Sequence, residues 1–368
     1  MNLKKSRGFT IVELVVVMVI VGILATIAVI GYGNWRTSTI ATQLKSDLTN
    51  AAAAMENARN FGNGYPSDIN NPPIFKSSPG VEISGGSTDG GKSFSLWAGN
   101  NGKYYTITDK TSPMVTVNPS VNITFNATSS GRYGTIKTLT IDKTWVYRIN
   151  VLGAGGGAAD PYRGGYGSNV SANFILSAGT VLRILVGQKG TDSGYAGGGG
   201  ASGVWIFGAS TPLIIAGGGG GANSNVNPHI GGDATRINDG ASSYGAGGAG
   251  GNGGGAGYIA VGGGAGWYSN GGGNSSYYPP DIPAIAIKNG GNGGAAYGSD
   301  YQGGFGGGGN GFGGGGGGGG YSGGGGGNYT VAGSYGGGGG SYVDAQGINS
   351  SLVLSNNTGH GLVIITSI

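Results

Sequence analysis

Cysteine is absent from the 368 residues, so no disulfide can staple this chain. Zinc sites built on thiolates are excluded with it. Histidine is nearly absent, with two residues, and charged residues make up only 9 %. The net charge is +4, but Lys4, Lys5 and Arg7 supply three of those charges within the first eight residues. No other basic cluster stands ready to neutralise phosphates, so a nucleic-acid partner is not expected. Proline is sparse too: 12 residues, with no strict Gly-X-Y period, which excludes collagen.

What the chain has instead is glycine. Of its 90 glycines, 15 lie in residues 1–149 and 75 in the remaining 219. That second part is about one-third glycine, against roughly 7 % in ordinary proteins. Length and this shift in composition predict at least two domains.

The other conspicuous feature is an apolar run at 9–30, FTIVELVVVMVIVGILATIAVI, in which 18 of 22 residues are apolar. As a helix at ~1.5 Å per residue it extends about 33 Å, the thickness of a hydrocarbon core. Its Val and Ile content favours a strand in water. In lipid an isolated segment must satisfy its own backbone, which requires a helix. Glu13 interrupts the run, and a carboxylate at mid-bilayer costs on the order of 2.5–3.5 kcal/mol unless compensated.

Basic residues, then Gly8, Phe9 and Glu13 in fixed spacing make this segment resemble the leader of type IV pilins and type II secretion pseudopilins. The resemblance implies a prepilin peptidase that cuts between Gly8 and Phe9, and methylation of the new N-terminus at Phe9. It also implies that Glu13 meets the terminal amine of a neighbouring subunit during assembly. An ordinary secretory signal peptide is the competing reading, but it wants an apolar core without an acid inside it. Where many pilins carry a helix-bending proline this chain has Ile30, with Gly31 and Gly33 following.

Beyond the run, Ile40, Leu44, Leu48, Ala51, Met55 and Ala58 recur at three- and four-residue steps, one apolar stripe of a helix. Gly62, Gly64 and Pro66 stop it. Strands are expected at 81–84, 94–98 and 103–109, with Asn100-Asn101-Gly102 as a turn. Residues 86–93, GSTDGGKS, match a phosphate-binding loop, but the segment after them reads as a strand rather than a helix. A hairpin loop is therefore expected there, not an ATP site.

The expected organisation is a leader (1–8), a pilin helix (9–61, with 9–30 in the membrane or filament core) and a small β head (62–112). A linker or first strand (113–135) and a glycine-rich domain (136–368) follow. The fold class expected is an α+β pilin module, a long N-terminal helix on a small antiparallel sheet. After it comes a mainly β glycine-rich domain with a bundle of polyglycine-II helices.

That last domain is expected to be ordered. Strand-like segments at 137–153, 171–187, 203–217 and 361–368 bracket the glycine runs, which are broken by aromatics rather than by Ser, Lys or Glu. Glycine runs need dense hydrogen bonding to offset their conformational entropy. The segments GAGGG (153–157), PLIIAGGGGG (212–221), the runs at 306–327 and GHGLVIIT (359–366) resemble glycine-rich domains of phage tail-fibre adhesins and of the anaplastic lymphoma kinase receptor family. The resemblance implies ligand binding, to sugars or proteins, through loops.

Candidate ligand residues are therefore Trp267, Tyr268, Tyr277 and Tyr278 as stacking faces, with Asn270, Asn274 and Asp281 as polar partners. The alternative is that these aromatics cover the glycine segments. His229 and His360 fall in no catalytic arrangement, and no metal site or cofactor is expected. The sequence reading is thus a non-enzymatic pilin-like filament subunit, minor or tip-proximal, with adhesive function. A major structural pilin or a secretion or DNA-uptake pseudopilin is the alternative. Expected partners are other pilin subunits, the prepilin peptidase, the cytoplasmic membrane before assembly and a glycan or surface-protein ligand. The expected location is the cytoplasmic membrane and then an extracellular pilus.

Overall fold

A computed structural model describes residues 11–70, 72–87, 90–100, 103–110, 114–116, 121–224, 229–258, 260–273, 282–296, 298–328, 330–331 and 334–368. Side chains at 11–13, 22–35, 37 and 114–116 lie outside that description. The chain divides into two compact units, Met1–Val117 and Asn118–Ile368.

In the first unit, helix α1 (Ile11–Gly62) accompanies an antiparallel sheet of β1 (Glu82–Gly86), β2 (Ser95–Asn100), β3 (Lys103–Thr108) and β4 (Met114–Thr116), in that order. Leu44, Leu48, Ala51 and Met55 recur on one helical face and are fully buried. They meet Ile83, Leu96, Ala98, Tyr105 and Ile107, which alternation places on one face of the sheet. Asp47 fastens the helix to a loop: its carboxylate accepts from the Ser78 N–H at 2.8 Å and the Ser78 hydroxyl at 3.0 Å. β1 and β2 pair with Gly86 opposite Ser95, so the phosphate-loop match at 86–93 spans a hairpin connection.

Among the described residues the second unit carries ten strands: β5 (Asn122–Asn126), β6 (Lys137–Thr140), β7 (Trp145–Leu152), β8 (Ser168–Leu176), β9 (Val181–Leu185), β10 (Ser202–Ile206), β11 (Ile214–Ala216), β12 (Tyr342–Val343), β13 (Ile348–Leu354) and β14 (Leu362–Ser367). They form two antiparallel five-stranded sheets, ordered β13-β8-β7-β14-β5 and β12-β11-β10-β9-β6. Tyr147, Ile149, Val151, Val170, Ala172, Phe174, Val363 and Ile365 share the inner face of the first. Leu182, Ile184, Val204, Ile214 and Ala216 share the facing side of the second, and all are fully buried. The sheets meet through β11, which packs on β7 and β8.

The other face of the second sheet is covered by Trp267, Ile287, Phe305 and Tyr321, side chains carried on the glycine-rich segments. The amides of these segments bond to one another across large sequence separations. Gly218 donates to the Gly319 carbonyl, Gly319 to Gly199, Gly199 to Gly219, Gly318 to Gly337 and Gly337 to Gly325, all at 2.8–2.9 Å. The interior here is backbone packed on backbone. A Cβ at Gly318 would overlap the Gly218 carbonyl, and one at Gly319 the Gly306 carbonyl.

Three expectations are corrected. First, the fold is predominantly β and not the expected α+β pilin module with a polyglycine-II bundle: among the described residues fourteen strands form three sheets, and α1 packs on only one of them. Hydrophobic alternation in residues 122–185 and 202–216, closed by the C-terminal strands, builds two full sheets, and the glycine segments are laid against them. Second, the membrane span at 9–30 is not supported: among the described residues no helix is long and apolar enough to cross a membrane. Third, the roles that needed that span fall with it: a membrane-embedded filament subunit, whether pilin or pseudopilin, a membrane-anchored precursor and an extracellular pilus.

Candidate functional site

The same face of the second sheet, covered by Trp267, builds one wall of a chemically varied cleft. Register places Arg183 of β9 directly opposite Trp205 of β10, with Thr138 of β6 on the other side. Phe207 lies two residues beyond Trp205, so it returns to the same face, its N–H bonded to the Val181 carbonyl at 2.8 Å. Gly208, with φ of 83°, begins the turn from β10 to β11. This is backbone that glycine adopts without a Cβ penalty.

A second segment closes the site from above. Trp267 is 1 % exposed and packs edge-on against Trp205 at 5.3 Å, while its indole N–H donates to the Ser210 carbonyl at 2.8 Å. The same segment holds the single-turn 3-10 helix Ile287–Asn289. Ile287 donates its N–H to the Gly266 carbonyl, and the Asn270 side-chain oxygen accepts from the Ala286 N–H at 2.9 Å. That turn carries Lys288, which sits 4.8 Å from the centre of the Tyr268 ring.

Between these walls is a cleft of about 540 Å³ lined by Trp205, Phe207, Trp267, Arg183, Lys288 and Asn289, among others. The size falls within the usual range of small-molecule sites. Phe207 is 66 % exposed, a large aromatic face held in the open by a sheet. Arg183 lies over it at 5.8 Å.

The expected ligand residues separate in this structure. Trp267 lines the cleft but is buried, so its edge and its partners hold the wall. Tyr268 is partly buried, with its ring against Tyr321 and under Lys288. Asn270 braces the 3-10 turn. Asn274, Tyr277, Tyr278 and Asp281 lie outside the described residues, as do Gly8, Phe9 and the Glu13 side chain.

Arg183, Trp205, Phe207 and Lys288 were not singled out by the sequence. The legible signal was alternation in VLRIL (181–185) and GVWIF (203–207), which puts Arg183 on one face of its strand and Trp205 with Phe207 on one face of theirs. Only the pairing of β9 with β10 joins the two.

Beneath the cleft, Tyr321 stacks on Tyr342 at 4.2 Å. Burial pushes the Tyr342 hydroxyl well above the ordinary tyrosine range, with the Asp344 carboxylate adding to the shift. Burial, then Tyr268, raise Tyr321 in the same direction. These phenols are therefore neutral donors near neutral pH. The histidines do separate structural work: His229 stacks on Tyr335 at 4.6 Å, and Nδ1 of His360 accepts from the Lys189 N–H at 3.1 Å. Among the described residues no group of three or more His, Asp or Glu side chains is placed to hold a metal ion.

Residues 3–29 match the family model described as the prokaryotic N-terminal methylation motif. The chain thus carries a prepilin-like motif near its N-terminus, of the kind a processing peptidase acts on. The match extends to no part of the glycine-rich unit. No curated protein sequence matches the chain.

Proposed function

We propose that this chain is a processed binding protein whose glycine-rich unit holds carbohydrate in the Trp205–Phe207 cleft. In this reading a prepilin-type peptidase cuts between Gly8 and Phe9, and the new N-terminus is methylated on Phe9. The motif at 3–29 supports that step. The second unit then acts by binding rather than by bond cleavage.

The observation that carries the reading is Phe207, two-thirds exposed at the mouth of a cleft whose walls are fixed by sheet pairing and by the Trp267–Ser210 bond. A flat apolar ring held rigidly beside polar groups suits a sugar, which presents an apolar face and an equatorial rim of hydroxyls. Little conformational entropy is lost when such a preformed site fills.

The test is calorimetric titration of the full chain with hits from a glycan array, repeated on Phe207→Ala. Removing the ring is expected to weaken binding at least tenfold with unfolding unmoved, since the side chain is mostly in solvent. Equal affinity in the variant, or no glycan bound by the parent, contradicts the reading.

A further inference from the structure

The cleft's charge is unbalanced, and this bears on what kind of sugar it takes. Among the described residues the second unit forms two ion pairs: Arg163 with Asp233 at 2.8 Å and Lys189 with Asp192 at 2.7 Å. Arg183 and Lys288, the two cations lining the cleft, have no carboxylate partner among the described residues. Each lies over an aromatic ring instead, Arg183 over Phe207 and Lys288 over Tyr268. A cation–π contact orients a cation without neutralising it.

The two arrive from different elements, one from the middle of a strand and one from the 3-10 turn. Both flank the same opening, and among the described residues no acidic side chain lines it. In a chain with only 9 % charged residues, two unneutralised cations at one aromatic cleft make a positive site with a stacking surface. Such a site favours a negative ligand, because an anion supplies the hydrogen-bond acceptors that the guanidinium and ammonium lack.

We propose that the cleft selects acidic saccharides, with Arg183 and Lys288 pairing the carboxylate or sulfate groups while Phe207 stacks on a sugar ring. This rests on the carbohydrate-binding reading above and adds the charge of the ligand to it. Stacking on Phe207 is indifferent to charge, so the two parts separate experimentally. An aromatic surface with cations also suits a single-stranded nucleic acid. Among the described residues two cations face this cleft, however, whereas tracking a phosphate backbone calls for a groove of them.

Three trisaccharide probes test the proposal on the full chain: a galacturonic acid trimer, its methyl ester and a sulfated galactose trimer. A decameric oligothymidylate is the fourth probe. The expected result is at least about tenfold tighter binding of an acidic trimer than of the ester, the size of one charge-assisted hydrogen bond. That advantage should shrink as salt rises. Arg183→Gln and Lys288→Gln should each reduce the acid's advantage over the ester, with folding checked by thermal unfolding. Which acidic trimer is preferred tells carboxylate from sulfate.

Equal binding of acid and ester overturns the charge preference and leaves carbohydrate binding standing. So does an acid advantage that survives in the double variant. Preference for the oligothymidylate over every sugar, or binding of none of the four probes, overturns both.

Discussion

In residues 1–117 the interior is made of side chains: Leu44, Leu48 and Met55 from α1 press on Leu96, Ala98 and Ile107 from the sheet. In residues 118–368 a large part of the interior is main chain, with Gly199, Gly218, Gly318 and Gly337 bonded carbonyl to amide. The first arrangement gains stability from apolar area removed from water, about 1.5–3 kcal/mol for a buried Leu or Met. The second has almost no side-chain area to bury. Each glycine also costs roughly 0.5–1 kcal/mol more backbone entropy than alanine.

What offsets that cost is density. Absent side chains let peptide planes approach until nearly every amide finds a carbonyl, each bond contributing a net ~0.5–1.5 kcal/mol. Dispersion adds to it where backbones touch. The two interiors therefore differ in what they tolerate. A side-chain core yields to a substitute of similar volume, whereas a backbone core has no side chain that can move aside.

The largest effect expected is in the second unit. Gly318→Val places a branched side chain against the Gly218 carbonyl and the Gly219 backbone. It should cost more than about 4–5 kcal/mol, beyond the usual range of single substitutions. Limited proteolysis of the full chain, with fragments mapped by mass, should show rapid cleavage in 118–368 and none added in 1–117. Resistance equal to the parent would break the comparison.

Next is Leu48→Ala, a cavity under α1, expected to destabilise the first unit by about 2–5 kcal/mol. Leu48→Met should cost under about 1.5 kcal/mol. Urea titration followed by hydrogen exchange separates the units. If Leu48→Met cost as much as Leu48→Ala, the tolerance ascribed to the side-chain core would be wrong.

A smaller effect depends on pH. The folded state raises the Tyr342 hydroxyl above its unfolded value, so the stability it lends is complete below about pH 10. That contribution is lost as pH rises further, because only the unfolded chain ionises easily. The unfolding temperature of the second unit should therefore fall as pH rises above about 10, and Tyr342→Phe should flatten the fall. An unchanged slope in the variant would show that other groups set it.

Much of this could be read before any coordinates. The Leu44–Met55 stripe marks a helical face, and the patterns at 81–84, 94–98 and 103–109 coincide with β1, β2 and β3. Those at 137–153, 171–187 and 203–217 each split into a pair of strands, because a bend at Lys143 and turns at Gly179 and Gly208 interrupt them. Strands β12 and β13 escaped for physical reasons. β12 is two residues long, and β13 is a bulged edge strand whose polar serines carry no alternation.

The site was the least legible part. Trp267 reads in sequence either as a stacking residue beside Tyr268 or as a cover for the glycine segments, and Trp205, 62 positions earlier, buries it. Arg183 and Trp205 become neighbours only through strand register, and Lys288 joins them through a turn braced by Asn270. Local pattern carries no record of such long-range pairing. The N-terminal segment shows the opposite limit: a motif recognisable from a few residues does not by itself establish a membrane span.

The central claim is that residues 118–368 are held by glycine backbone as firmly as by strands. Hydrogen exchange read by mass spectrometry on the full chain tests it most directly, using peptides from 316–320, 323–327 and 336–340. Their amides donate to buried carbonyls, such as Gly318 to Gly337, Gly324 to Gly318 and Gly339 to Gly218. The account predicts exchange as slow as in the central strands β7 and β8, opening only with global unfolding. Complete exchange within seconds, as in a flexible glycine linker, would contradict it.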